Sequence, residues 1–143
     1  MYRKSDAIPS VQLPRAAELR PLVAHLAEAL GQDDRAAVEA CAQALAGALL
    51  EQLAVAAVTV EVLAVRPQLS DAELHGLYTP DPPNIRLWMR TAKKKRVVAF
   101  RTFLRTLLHE LGHHLDFTLL ALEESFHTEG FFKRESSLFH QLV

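Results

Sequence analysis

Apolar residues recur along this chain at spacings that change from one segment to the next, and the changes mark out its elements. Pro14 suits the first turn of a helix running to about residue 30, where Gly31 supplies a stop. Asp33 or Asp34 is placed to cap a second helix through about residue 53, with Val38, Cys41, Leu45 and Leu49 along one side. The period then shortens. "VTVEVLAV" is β-branched and partly alternating, so residues 58–65 read as a strand, ended by Pro67. Two short extended pieces, roughly 75–78 and 85–89, flank "TPDPP", which can continue neither a helix nor a ladder. A long helix starts near residue 99 or 102 and runs to about 122; "EESFHTEG" breaks it before a short terminal helix.

Two helices, about three strands and two more helices predict an α+β fold. With 143 residues the chain is sized for one domain. Its parts are an irregular lead-in over 1–13, a helical pair over 14–53 and a core carrying the chemistry over 56–143. A net charge of -1 argues against wholesale binding to nucleic acid or an anionic membrane, leaving only a local patch such as "KKKR" at 93–96. That run is better explained as a solvated connection. The single cysteine, Cys41, excludes an internal disulfide and fits a small core position. The opening "MYRKSDAIPSVQLPRAAELR" offers no apolar stretch to a signal peptidase, and no run is long enough to span a membrane, so a cytoplasmic location is expected.

The chemistry concentrates in "RTLLHELGHHLD", residues 105–116. On a helical wheel Leu104, Leu107, Leu108, Leu111 and Leu115 form one stripe about 100° wide, which should face the core. His109 and His113, one turn apart, lie on nearly the opposite side. Two imidazoles at that spacing can aim at one zinc ion. Glu110, offset between them, cannot easily be a third ligand but can serve as general base toward a water that zinc acidifies. Gly112 weakens a helix interior by about 1 kcal/mol relative to alanine, which suggests that something packs closely there.

Catalytic zinc takes three protein ligands and keeps one open position. Downstream candidates for the third are His114, Asp116, His127 and Glu135. His114 is turned about 100° from His113 and should face the surface or lie behind the ligands. Asp116 could ligate, or could orient a ligand by accepting an N–H. His127 follows the helix break, where a returning loop could close the site. An oxyanion donor would be Tyr78, His75 or Arg90 by residue type; His25 and His140 read as structural or surface residues.

"LLHELGHHLD" followed by "SFHTEGFFKR" resembles the minimal zincin-like metallopeptidases, especially the SprT-like branch, over residues 61–142. The resemblance implies H-E-x-x-H on an active-site helix and a third histidine in a later H-x-x-x-aromatic stretch, which His127 and Phe131 match. It further implies a zinc-dependent hydrolase of peptide bonds whose peptide or protein substrate adds a strand to a sheet edge. "NIRLWMR" is the expected edge, with Trp88 and Met89 as core residues. The chain lacks that branch's cysteine-rich zinc ribbon. Two alternatives follow: a catalytically silent, zinc-stabilised binding module, and a DNA-associated SprT-like protease.

Overall fold

The fold comes from a computed structural model that describes residues 3–65, 68–69, 72–73, 76–92 and 94–143. Pro67, His75 and Lys93 lie outside the described residues. In chain order the elements are α1 (Arg3–Asp6), α2 (Ala16–Gly31), α3 (Arg35–Gln52), β1 (Thr59–Val65), β2 (Gln68–Leu69), β3 (Ala72–Glu73), β4 (Gly76–Pro80), β5 (Pro83–Arg90), α4 (Phe100–Thr118) and α5 (Glu129–Leu142). This is an α+β fold with a three-stranded mixed sheet, as the periodicities predict. No helix of the described residues is long and apolar enough to cross a membrane.

Local chemistry explains the helix ends. Asp34, rather than Asp33, caps α3: its carboxylate accepts the Ala37 N–H at 3.1 Å. Thr128 caps α5 in the same way, accepting the Phe131 N–H at 3.1 Å. α4 stops at Thr118, short of the expected 122. The Leu122 N–H turns back to the Asp116 carbonyl at 2.8 Å, and Ala121 takes a left-handed conformation with φ 52°. Two further departures are local. Arg3–Asp6 forms a helical turn within the segment expected to be irregular, and β2 and β3 make a small antiparallel pair that the spacing did not announce.

β5 is the central strand, parallel to β1 and antiparallel to β4. "NIRLWMR" is therefore no sheet edge, contrary to the expectation: ladders on both sides already use its backbone groups. Trp88 and Met89 are buried, as expected. α3 packs on β1, while α4 lies against β4 and β5. Val60, Val62, Ile85 and Leu87 meet Leu104, Leu107, Leu108, Leu111 and Leu115 of α4 in one core, which Cys41 flanks. The leucine stripe is buried throughout, and that fixes which face of α4 looks outward.

The sheet's two edges differ. Side chains of α3 occupy the outer edge of β1: Gln43 bonds the Val58 carbonyl and the Val60 N–H, Glu39 accepts the Val62 N–H, and Arg35 donates to the Val62 carbonyl. Among the described residues no strand lies beyond β4. Backbone groups at an uncovered edge are free to pair with another chain.

Candidate metal centre

The outward face of α4 brings His109 and His113 one turn apart, and the loop between α4 and α5 returns His127 to them. The His127 Nε2 atom lies 3.0 Å from His109 Nε2 and 3.1 Å from His113 Nε2. Two nitrogens bound to one zinc at 2.0–2.1 Å and near-tetrahedral angles stand about 3.3 Å apart, so this trio needs little adjustment to share an ion.

Protons on the far side of the rings sharpen the point. His109 Nδ1 donates to Glu135 Oε1 at 2.7 Å. His113 Nδ1 meets Ser125 Oγ at 2.7 Å, and Ser125 donates its own proton to Asp116 Oδ2, also at 2.7 Å. The serine oxygen must then accept, which leaves the proton on His113 Nδ1. His113, and His109 in its neutral form, thus turn an Nε2 lone pair inward. His127 Nε2 brings at most one proton to two close contacts, an arrangement that a shared cation satisfies and neutral rings do not. The donor set fits zinc, with partners behind two of the three ligands.

Burial and neighbouring charge tune the same groups. His113 is pushed down to about 4 by loss of hydration, and then by positive charge on His109 and His127. His127 is lowered by loss of hydration and then by positive charge on His109, against the Glu135 charge. At neutral pH His113 therefore keeps a free lone pair. In His109 burial works against the charged form, but the Glu135 hydrogen bond and the charges of Glu110 and Glu135 outweigh it and raise the pKa. Glu110, only 7% exposed, is raised chiefly by burial; His109 acts in the opposite direction and Glu135 adds to the rise.

Glu110 lies between two cavities. One, of about 390 Å³, is lined by Gly76, Thr102, Arg105, Thr106, His109 and Glu135 together with Glu110. The other, of about 290 Å³, is lined by Leu77, Tyr78, His113 and Phe117 among others. β4 approaches α4 closely enough that a Cβ on Gly76 would stand 2.9 Å from Thr106 Cγ2 and 3.1 Å from Glu110 Cγ. Gly112 has the partner its cost implied. A Cβ there would lie 3.0 Å from the Phe131 ring, which packs against all three histidines.

The remaining candidates have other positions. Asp116, 1% exposed, pairs with Arg134 at 3.1 Å and reaches His113 only through Ser125. Glu135 holds His109 from behind and stands 3.7 Å from Arg105. His114 is neither on the surface nor behind the ligands but fully buried. Its Nε2 donates to the Ala56 carbonyl at 2.7 Å, so its Nδ1 accepts the Tyr78 hydroxyl proton at 2.8 Å. That bond engages the one proton Tyr78 could offer an oxyanion. Arg90 is held by the Lys95 carbonyl and Asp33, away from the histidines. His75 lies outside the described residues. His25 and His140 are exposed, as are Lys94, Lys95 and Arg96, consistent with a solvated connection.

Three contributors have no counterpart in the motif: Ser125, Arg105 and Arg134. Arg134 alone had a readable signal, since it falls in the apolar stripe of α5 with Phe131 and Leu138, where a charge requires a buried partner. No family model, no curated protein and no solved structure matches this chain.

Proposed function

We propose that this chain is a zinc-dependent metallopeptidase of zincin type, with zinc held by His109, His113 and His127. The observation that carries the reading is the convergence of three Nε2 atoms beside a buried carboxylate. When bound, zinc supplies Lewis acidity, lowering the pKa of a water molecule and polarising a carbonyl. Glu110 accepts the proton of the attacking water and delivers it to the leaving amine, so that water and an amide become a carboxylic acid and an amine. Its raised pKa suits both halves of that transfer. Glu135 and the Asp116–Ser125 pair hold His109 and His113 in the tautomer that presents Nε2.

The substrate is a peptide or an extended protein segment lying along β4, beyond whose outer edge no strand lies among the described residues, where that of β1 is blocked by α3. Glu110→Gln tests the assignment on a fluorogenic peptide library. The variant should retain zinc and lose about 10²- to 10⁴-fold in cleavage rate. A wild type that binds zinc yet cleaves nothing in a broad library would refute the hydrolase and favour a zinc-stabilised binding module.

A further inference from the structure

We propose that residues 3–8 belong to the framework of the metal centre: through Arg134 they orient His113 and hold the loop that carries His127. This rests on the metal reading above. The two ring nitrogens of His113 face different tasks. Nε2 looks into the histidine trio, while Nδ1 starts a continuous chain: His113 to Ser125 at 2.7 Å, Ser125 to Asp116 at 2.7 Å, Asp116 to Arg134 at 3.1 Å. Arg134 is 4% exposed, and its guanidinium ends on the N-terminal segment. Nη1 donates to the carbonyls of Ser5 at 2.5 Å and Ile8 at 2.8 Å, and Nη2 to Ser5 Oγ at 3.0 Å.

A buried ion pair is stable only when the remaining donors and acceptors of both groups are satisfied. For Arg134 those acceptors come from residues 3–8. If they leave, a half-solvated arginine no longer holds Asp116, and Ser125 loses the acceptor that sets its proton and hence the His113 tautomer. The same segment grips the loop at its other end. Ser5 Oγ lies 2.8 Å from Thr128 Oγ1, and Asp6 Oδ1 accepts the Gly130 N–H at 2.9 Å. His127 sits between Ser125 and Thr128, so both flanks of this ligand depend on one clasp. α1 fits against α5 only because residue 130 lacks a side chain: a Cβ there would stand 2.2 Å from the Ser5 carbonyl oxygen and 2.8 Å from Asp6 Cα.

That contact supplies a variant that dislodges the clasp without touching the trio. Alanine suits the first turn of α5, and the atoms it would meet are backbone of α1. Zinc affinity, read by competition with a chromophoric chelator, should fall about tenfold or more in Gly130→Ala and in the double variant Ser5→Ala/Asp6→Ala, within the 10–100-fold range typical of groups behind a ligand. Far-UV circular dichroism should stay unchanged. Coupling is reciprocal, so saturating zinc should slow tryptic cleavage after Lys4 in the wild type. It should do so measurably less in Ser125→Ala, where the route through His113 is cut although zinc still binds and the hold on Thr128 and Gly130 remains. A clasp that only stabilises the fold would lose none of this protection in Ser125→Ala. Wild-type zinc affinity in both clasp variants, or cleavage at Lys4 indifferent to zinc in the wild type, would overturn the proposal. A wild type that binds no zinc would remove it together with the metal reading.

Discussion

His113 and His114 are neighbours in sequence, on one helix, and the structure gives them opposite surroundings. His114 points inward and has both ring nitrogens engaged by protein groups, the Ala56 carbonyl and the Tyr78 hydroxyl. His113 points outward with one nitrogen engaged by Ser125 and the other turned to two more imidazoles. A histidine whose two nitrogens are both satisfied is a structural tie; here it joins β4 to α4 and to the segment before β1. A histidine with one nitrogen anchored and the other turned to two further imidazoles is placed where it could bind a cation. Hydrogen-bond accounting separates the two more firmly than burial does.

Substitutions on the two sides of that comparison should diverge most. Replacing His109 or His113 by alanine should weaken zinc binding by roughly a hundredfold or more, since each ligand contributes a large share of the total metal affinity. His127→Ala should impair retention through the same loss; unchanged affinity in that variant would remove His127 from the ligand set. All three are measurable by chelator competition. His114→Ala should do the reverse. It should leave zinc affinity within about threefold of wild type while lowering unfolding stability by roughly 2–4 kcal/mol, because it opens a cavity at a fully buried side chain and removes its two hydrogen bonds. Urea titration of the metal-free protein reads that loss. Zinc affinity falling in His114→Ala as far as in His113→Ala would erase the distinction.

Smaller changes sharpen it. Tyr78→Phe removes only the hydroxyl that His114 Nδ1 accepts, so a stability loss of about 1 kcal/mol is expected. Peptide cleavage should remain within about threefold, since that proton is already engaged and offers no oxyanion stabilisation. A hundredfold fall in rate at unchanged stability would restore Tyr78 as a direct contributor. Gly112→Ala is subtler still. Improved helix propensity offsets the crowding of Phe131 by a few tenths of an ångström, leaving stability within about 1 kcal/mol of wild type.

The outward face of α4 was readable from local periodicity. The leucine stripe specifies which way the helix faces, and the one-turn spacing of His109 and His113 then follows from helix geometry. The same local rules located β1, β4 and β5 and narrowed the cap of α3 to Asp33 or Asp34. They could not reach what depends on pairing between distant segments. "NIRLWMR" has the composition of an edge or a centre alike, and only its ladders to both β1 and β4 make it central. The wheel turned His114 away from the trio but could not foresee that the Ala56 carbonyl and the Tyr78 hydroxyl would engage its two ring nitrogens. Arg134 and Ser5 are separated by 129 positions, and a serine in a polar loop carries no mark that it will orient a ligand. Groups that act through a partner become visible only once the partner is placed.

The most direct test of the metal centre is elemental analysis of the full chain purified without a histidine tag. The three converging imidazoles predict about one zinc per chain in the wild type and essentially none in His113→Ala. A wild type that is free of metal, and stays so after zinc is added and the excess removed, would contradict the account.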